Sequence, residues 1–133
     1  MPYMRPPLFT RKVFNPIAMK SGISGTKALA VRGRRTGVVH RVPVIPVEVE
    51  GVRYLVSPRG ETDWARNLRA AGEGELSSRH GVQPFRATEL PVDERAPVIA
   101  AYRQVAGRAV KSLFEKLPDP ADHPVFRLED RAA

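Results

Sequence analysis

The stretch VVHRVPVIPVEVEGVRYLVSP, Val38 to Pro58, decides what kind of fold this chain can adopt. Valine dominates it, and β-branched side chains suit the pleated surface of a sheet better than a helix. From Ile45 onward Ile45, Val47 and Val49 alternate with Pro46, Glu48 and Glu50, so one face is dry and the other wet. Pro43 and Pro46 cannot donate to a ladder, which puts part of this run at a sheet edge or a bulge. Glu50-Gly51 ends the run, and VRYLVSP, Val52 to Pro58, follows as the next strand.

Upstream, KALAVRG (Lys27 to Gly33) is a further strand, joined to this one through the turn GRRTG, so three runs form an antiparallel meander. Downstream, ETDWARNLRAAG reads as a short helix that Thr62 or Asp63 can cap and Gly72 can end, with Trp64, Asn67, Leu68 and Ala71 on one face. GELSSRHGVQPFRATEL offers two more strands around His80-Gly81. VDERAPVIAAYRQVAG is a helix with Val98, Tyr102 and Val105 on one stripe, and RAVKSLFEKL another with Val110, Leu113, Phe114 and Leu117 together. VFRLE, from Val125, returns as a last strand or a tail. The expected fold is mainly β with flanking helices (α+β): an antiparallel sheet of five or six short strands closing into a small barrel, with helices plugging its open side. Residues 1–25, with three prolines near the start and Phe9, Val13, Ile17 and Lys20 near helical spacing, read as an arm and short helix. Residues 26–133 read as the single barrel domain.

Twenty-two Lys and Arg against 14 Asp and Glu give a formal charge of +8 over 133 residues, so the surface draws anions. Nucleic acid, an anionic membrane and a phosphorylated small molecule all answer to that charge. The chain has no cysteine, and His40, His80 and His123 stand too far apart for familiar ligand spacing, so no metal site is expected. MPYMRPPLFTRKVF lacks the apolar core of a signal peptide, and no run approaches the roughly 18 apolar residues of a membrane span. Cytoplasmic residence is the simplest expectation, with peripheral membrane association left open.

Two constellations could carry chemistry. In GRRTG followed by HRVPV, Gly33 and Gly37 permit a tight turn while Arg34, Arg35 and Arg41 bring forked donors matched to phosphate and carboxylate oxygens. A solvated hairpin tip is the plain alternative. In SPRGETDWARNL a polar loop carrying Ser57, Arg59 and Gly60 runs into a helix N-terminus, where free N–H groups favour anions. Trp64 either stacks on a planar ligand or fills core. Asn67 would be costly on an apolar face unless something pairs with its amide. Tyr54 and Tyr102 fit core faces. No phosphate-binding Walker loop, dinucleotide fingerprint or nucleophile elbow is present.

Together, GRRTG…HRVPV, EVEGVRYLVSPRGETDWARNLRAAGEGEL and FRATELPVDER resemble the deazaflavin-dependent nitroreductase family, actinobacterial flavin/deazaflavin oxidoreductases of split β-barrel fold, over about Ala28 to Arg95. The resemblance implies an FMN-binding split-barrel-like architecture and coenzyme F-420, an 8-hydroxy-5-deazaflavin with a phosphodiester and an oligoglutamate tail. It further implies that Arg34, Arg35, Thr36 and Gly37 hold tail and phosphate with Arg41 and Arg59 in support, that backbone at Pro43 and Val44 lies against the ring, and that Ser57, Trp64 and Asn67 shape the ring pocket. The implied activity is hydride transfer from reduced deazaflavin to a quinone, enone or nitroaromatic, with Ser57, Tyr3 or water as proton source. A shorter loop between Ser57 and Trp64 than in the best-known nitroimidazole-reducing members argues against bulky nitro substrates. Two rivals remain. FMN, with its shorter phosphate, could use the same turn, and a small basic barrel could bind nucleic acid, although no aromatic platform is evident and none is expected to bind. Monomer and homodimer are both compatible with the sequence.

Overall fold

The computed structural model describes residues 25–131, so the expected arm and its helix, Tyr3 included, lie outside the described residues apart from Gly25. Seven strands form one antiparallel sheet: β1 (Lys27–Arg32), β2 (Val39–Val44), β3 (Val47–Val49), β4 (Val52–Val56), β5 (Glu73–Ser78), β6 (Gly81–Glu89) and β7 (Val125–Asp130). Among the described residues three α-helices accompany them: α1 (Asp63–Ala71), α2 (Ala96–Ala106) and α3 (Arg108–Lys116).

The strand order β2-β1-β5-β6-β7-β4-β3 explains the two prolines. Val39–Val49 is not one strand, as expected, but two, broken at Ile45-Pro46, and they occupy the two opposite edges of the sheet. Pro43 therefore sits on an edge strand, one of the few places where a sheet tolerates a residue without an N–H. Seven flat strands would set these edges about 29 Å apart. The two-residue link between Val44 and Val47 reaches only about 10 Å. The sheet must curl until its edges approach, which yields the split barrel.

Side-chain alternation then sorts two cores. On β4 and β7, Leu55 pairs with Phe126, and both turn inward beneath α1 with Leu29, Val31, Leu68, Leu76 and Phe85. Their neighbours Val56 and Val125, also paired, face outward and pack with Val98, Ile99, Tyr102, Val110 and Phe114 from α2 and α3. The helices thus cover both faces rather than plugging one opening.

Helix α1 is short but well bounded. Thr62 is its extended N-cap and accepts from the Ala65 N–H at 3.3 Å, while Gly72, at φ 71°, ends it by donating to Leu68 O at 2.8 Å. Its buried residues are Ala65, Asn67 and Leu68; Ala71, expected on that face, is exposed. On α2 the stripe drifts by one position, burying Ala106 and leaving the expected Val105 51% exposed. Val98, Tyr102 and Ala106, four apart, form the buried row although position 105 lies nearer Val98 in direction, so the elements packed against α2, not helical periodicity alone, decide which positions are covered. Among the described residues no helix is long and apolar enough to cross a membrane.

Candidate functional site

The arginine turn is built from its own backbone. Gly33 N–H donates to Val38 O at 2.8 Å, Gly37 N–H to Gly33 O at 3.0 Å, and Arg32 Nη1 to Gly37 O at 3.0 Å. Gly37 holds φ at 78°, a conformation that favours glycine. Thr36 Oγ1 accepts from the Val38 N–H at 3.2 Å, so that hydroxyl helps to close the turn.

Helix α1 grips this turn from the side. Asn67, 95% buried, accepts through Oδ1 from the Arg34 backbone N–H at 3.1 Å and from Arg34 Nη1 at 2.7 Å. Arg34 Nη2 also meets Asp63 Oδ1 at 3.4 Å. The costly amide on an apolar face is therefore matched, and its partner lies 33 residues away in sequence. This contact ties the GRRTG turn physically to the W-x-x-N helix. Arg34 is inward-facing as a result, whereas Arg35 forms no ion pair among the described residues.

Beside the grip lies a cleft of about 480 Å³ lined by Arg34, Arg35, Thr36, His40, Arg41, Asp63, Trp64 and Asn67. Burial pulls the Arg41 guanidinium below its ordinary value, and Glu75 partly opposes the shift. The guanidinium remains a cation throughout the working range. A second cavity, about 290 Å³, is apolar: Pro43, Val44, Ile45, Val56, Pro58, Trp64, Tyr102, Val110 and Leu113 form most of it, with Arg59 and Thr62 at its polar part. Trp64 belongs to both cavities and braces on the core through Phe126, ring centroids 6.2 Å apart. The tryptophan thus both packs on core and walls the clefts.

Ser57 stands apart from the rest. It is fully buried, its Oγ donates to Gly60 O at 2.6 Å, and the Thr62 hydroxyl, 3.0 Å away, must then donate to Ser57 Oγ. Its carbonyl is met at 3.0 Å by Nδ1 of His123, whose Nε2 lies 2.6 Å from Leu117 O. Ser57 thereby fixes the Ser57-to-Thr62 loop and contributes to neither cavity wall.

The structure brings Arg34, Arg35, Thr36, Arg41, Trp64 and Asn67 to the cationic cleft and Pro43, Val44, Arg59 and Trp64 to the apolar one. Gly37 shapes the turn without lining either cleft. Asn67 borders the cationic cleft, not the apolar one in which a ring pocket would be sought. Tyr102 was not among the expected site residues. Its spacing after Val98 marks it as core, which it is, but nothing in the sequence reveals that it also lines a cavity. Among the described residues no group of His, Cys, Asp and Glu could hold a metal.

The family model described as F-420H(2)-dependent quinone reductase matches residues 17–112. Among solved structures, an F-420-H2 dependent reductase matches with TM-score 0.59 at 21% identity, over 80% of this chain and 95% of its own. A protein of unknown function from Agrobacterium tumefaciens gives TM-score 0.61 at 22% identity over 81% of this chain, which spans about half, 49%, of that protein. The heme storage protein HutZ of Vibrio cholerae gives 0.62 at 16% identity, over 82% and 83% of the two chains. These likenesses establish the split-barrel fold. No curated protein matches at comparable stringency.

Proposed function

The chain belongs to the F-420H(2)-dependent quinone reductase family, and from that premise we propose that it reduces an electrophilic acceptor (quinone, enone or nitroaromatic) with hydride drawn from reduced coenzyme F-420. The observation that carries this reading is the adjacency of a cationic and an apolar cleft that share Trp64. A ligand with a polyanionic tail and a flat apolar head answers to both. When bound, the reduced deazaflavin supplies the hydride, and the protein supplies binding, orientation and electrostatics.

The residues suit that division. Arg35, with Arg41 behind it, meets phosphate and carboxylate oxygens through charge-assisted hydrogen bonds. Arg34 is held by Asn67 and Asp63, so its larger part is to keep the turn in shape. Pro43 and Val44 lie on the edge strand, where the Pro43 nitrogen carries no N–H to compete with a flat ring. Arg59 offers a cation at the rim of the apolar cavity. Ser57 serves as the loop's internal fastener, and protons come from solvent, because its hydroxyl is already engaged with Gly60 and Thr62.

Titration of the purified protein with oxidised F-420 in competition with FMN tests the cofactor. Tight F-420 binding is expected, and a clear FMN preference overturns the assignment. Arg35→Ala should raise the F-420 Kd about tenfold or more, the worth of one charge-assisted hydrogen bond, while turnover at saturating cofactor stays near normal. An unchanged Kd would remove the turn from the binding site. A homodimer is compatible with this arrangement, and sedimentation decides it.

A further inference from the structure

Tyr102 is 96% buried yet lines the apolar cavity, with Pro43, Val44 and Trp64 forming other parts of the lining. Its ring is fixed by an edge-on contact with Phe114, centroids 6.3 Å apart. Its hydroxyl has no hydrogen-bond partner among the described residues, and although the side chain is buried, that oxygen is not sealed off from solvent. A tyrosine packed in a core usually keeps a partner for its O–H. Here the cavity is the direction in which a partner can arrive.

We infer that the Tyr102 hydroxyl donates a hydrogen bond to the carbonyl or nitro oxygen of the acceptor and so orients it in the part of the apolar cavity that Tyr102 lines, the cofactor's flat head keeping to the Pro43, Val44 and Trp64 side. This rests on the reductase reading for the identity of the ligand, and adds which protein atom recognises it. Burial pushes the phenol up to about 12, so the group stays neutral and keeps its proton at working pH. In reduction of a quinone, hydride adds to the acceptor and negative charge gathers on the oxygen facing Tyr102. Water then delivers the single proton that completes the hydroquinone, while the Tyr102 O–H bond stays intact. The donor is aimed at charge that grows during the step, which favours the transition state over the bound ground state.

The cavity should consequently discriminate by oxygen rather than by shape. The test compares 2-methyl-1,4-naphthoquinone with 2-methylnaphthalene, which has the same ring system without the carbonyls. Both are titrated calorimetrically into the full-length oxidised protein, with and without F-420, so that no turnover takes place. Tyr102→Phe keeps the ring and its contact with Phe114. It should weaken quinone binding about five- to tenfold, the worth of one neutral hydrogen bond, leave 2-methylnaphthalene unchanged, and leave the F-420 Kd unchanged. With reduced F-420, kcat for the quinone should fall more than KM rises. Equal quinone affinity in the two proteins overturns the inference, as does an equal loss for both probes, which would signal a packing defect. A changed F-420 Kd with unaltered quinone binding would assign the hydroxyl to the cofactor instead. Failure of the wild-type protein to bind F-420 would strike the reductase reading and leave the oxygen discrimination by Tyr102 to be judged on the titrations without cofactor.

Discussion

Replacing Asn67 with alanine should loosen the arginine turn without touching it. The amide oxygen serves two donors of Arg34, the backbone N–H at 3.1 Å and Nη1 at 2.7 Å. The guanidinium can turn to water when released, so its loss is small. The backbone N–H belongs to an exposed residue and its bond is only part-buried, so water can partly replace the amide and the loss is about 0.5–1.5 kcal/mol. A small cavity beside Leu68 adds to this, giving about 2 kcal/mol in all. For a domain of this size that corresponds to a drop of roughly 10 °C in Tm, read by circular dichroism. The Arg34 amide should also exchange with solvent much faster, which NMR resolves residue by residue. Asn67→Asp retains the acceptor and should recover most of the stability. If the alanine variant melts within about 2 °C of the parent, or if exchange at Arg34 is unaltered, the coupling between helix α1 and the turn is not energetically real.

Two further outcomes can be checked on stability alone. Glu61 is held below the ordinary carboxylate range, first by its hydrogen bonds from Arg69 and then by nearby arginine charge, against the opposing effect of burial. A lowered folded-state value means stability that is present above the carboxylate range and lost as pH falls through it. The stability gap between the parent and Arg69→Met should therefore be wider at neutral pH than near pH 3, and a gap independent of pH would refute the link. Gly74→Ala places a Cβ 2.8 Å from Ala30 O and 3.1 Å from the Phe85 ring, both fixed in the core. It should cost about 3 kcal/mol through overpacking, and an unchanged urea midpoint would contradict that.

Much of the fold was legible because its signals are local. Valine alternation marked the strands, Thr62 and Gly72 bounded helix α1, and the prolines announced an edge. What stayed hidden was set by partners distant in sequence. The break at Ile45-Pro46 is an effect of sheet closure: one valine run serves two edges, and no window of alternation contains that information. VFRLE read equally as a strand or a tail because its placement between β6 and β4 depends on pairings such as Val56 with Val125. At the site, the glycine turn and its arginines were visible as chemistry. The separation of Arg34 as strut from Arg35, which has no ion pair among the described residues, was not, since two adjacent arginines are identical in sequence and differ only in where Asn67 sits. Ser57 drew notice as a polar residue leaving a strand, whereas its actual neighbours, Gly60, Thr62 and His123, consume its hydrogen-bonding capacity. Tyr102 escaped for the opposite reason, because burial and cavity lining coincide in one side chain.

The strand order also dictates a timetable. Among the described residues, β4 and β3 form a hairpin whose only other ladder is to β7, and β7 is likewise the link from that hairpin to the β2-β1-β5-β6 array. During synthesis the inner strand of that hairpin, β4, has no second neighbour until β7 is made, more than seventy residues later, from Val52 to Val125. Until then a valine-rich edge is bare, the condition under which nascent β-chains stray into association with one another. Glu48 and Glu50 on or beside β3 and Arg53 on β4, where Glu48 pairs with Arg53, are the kind of charges that make such an edge a poor template for another chain.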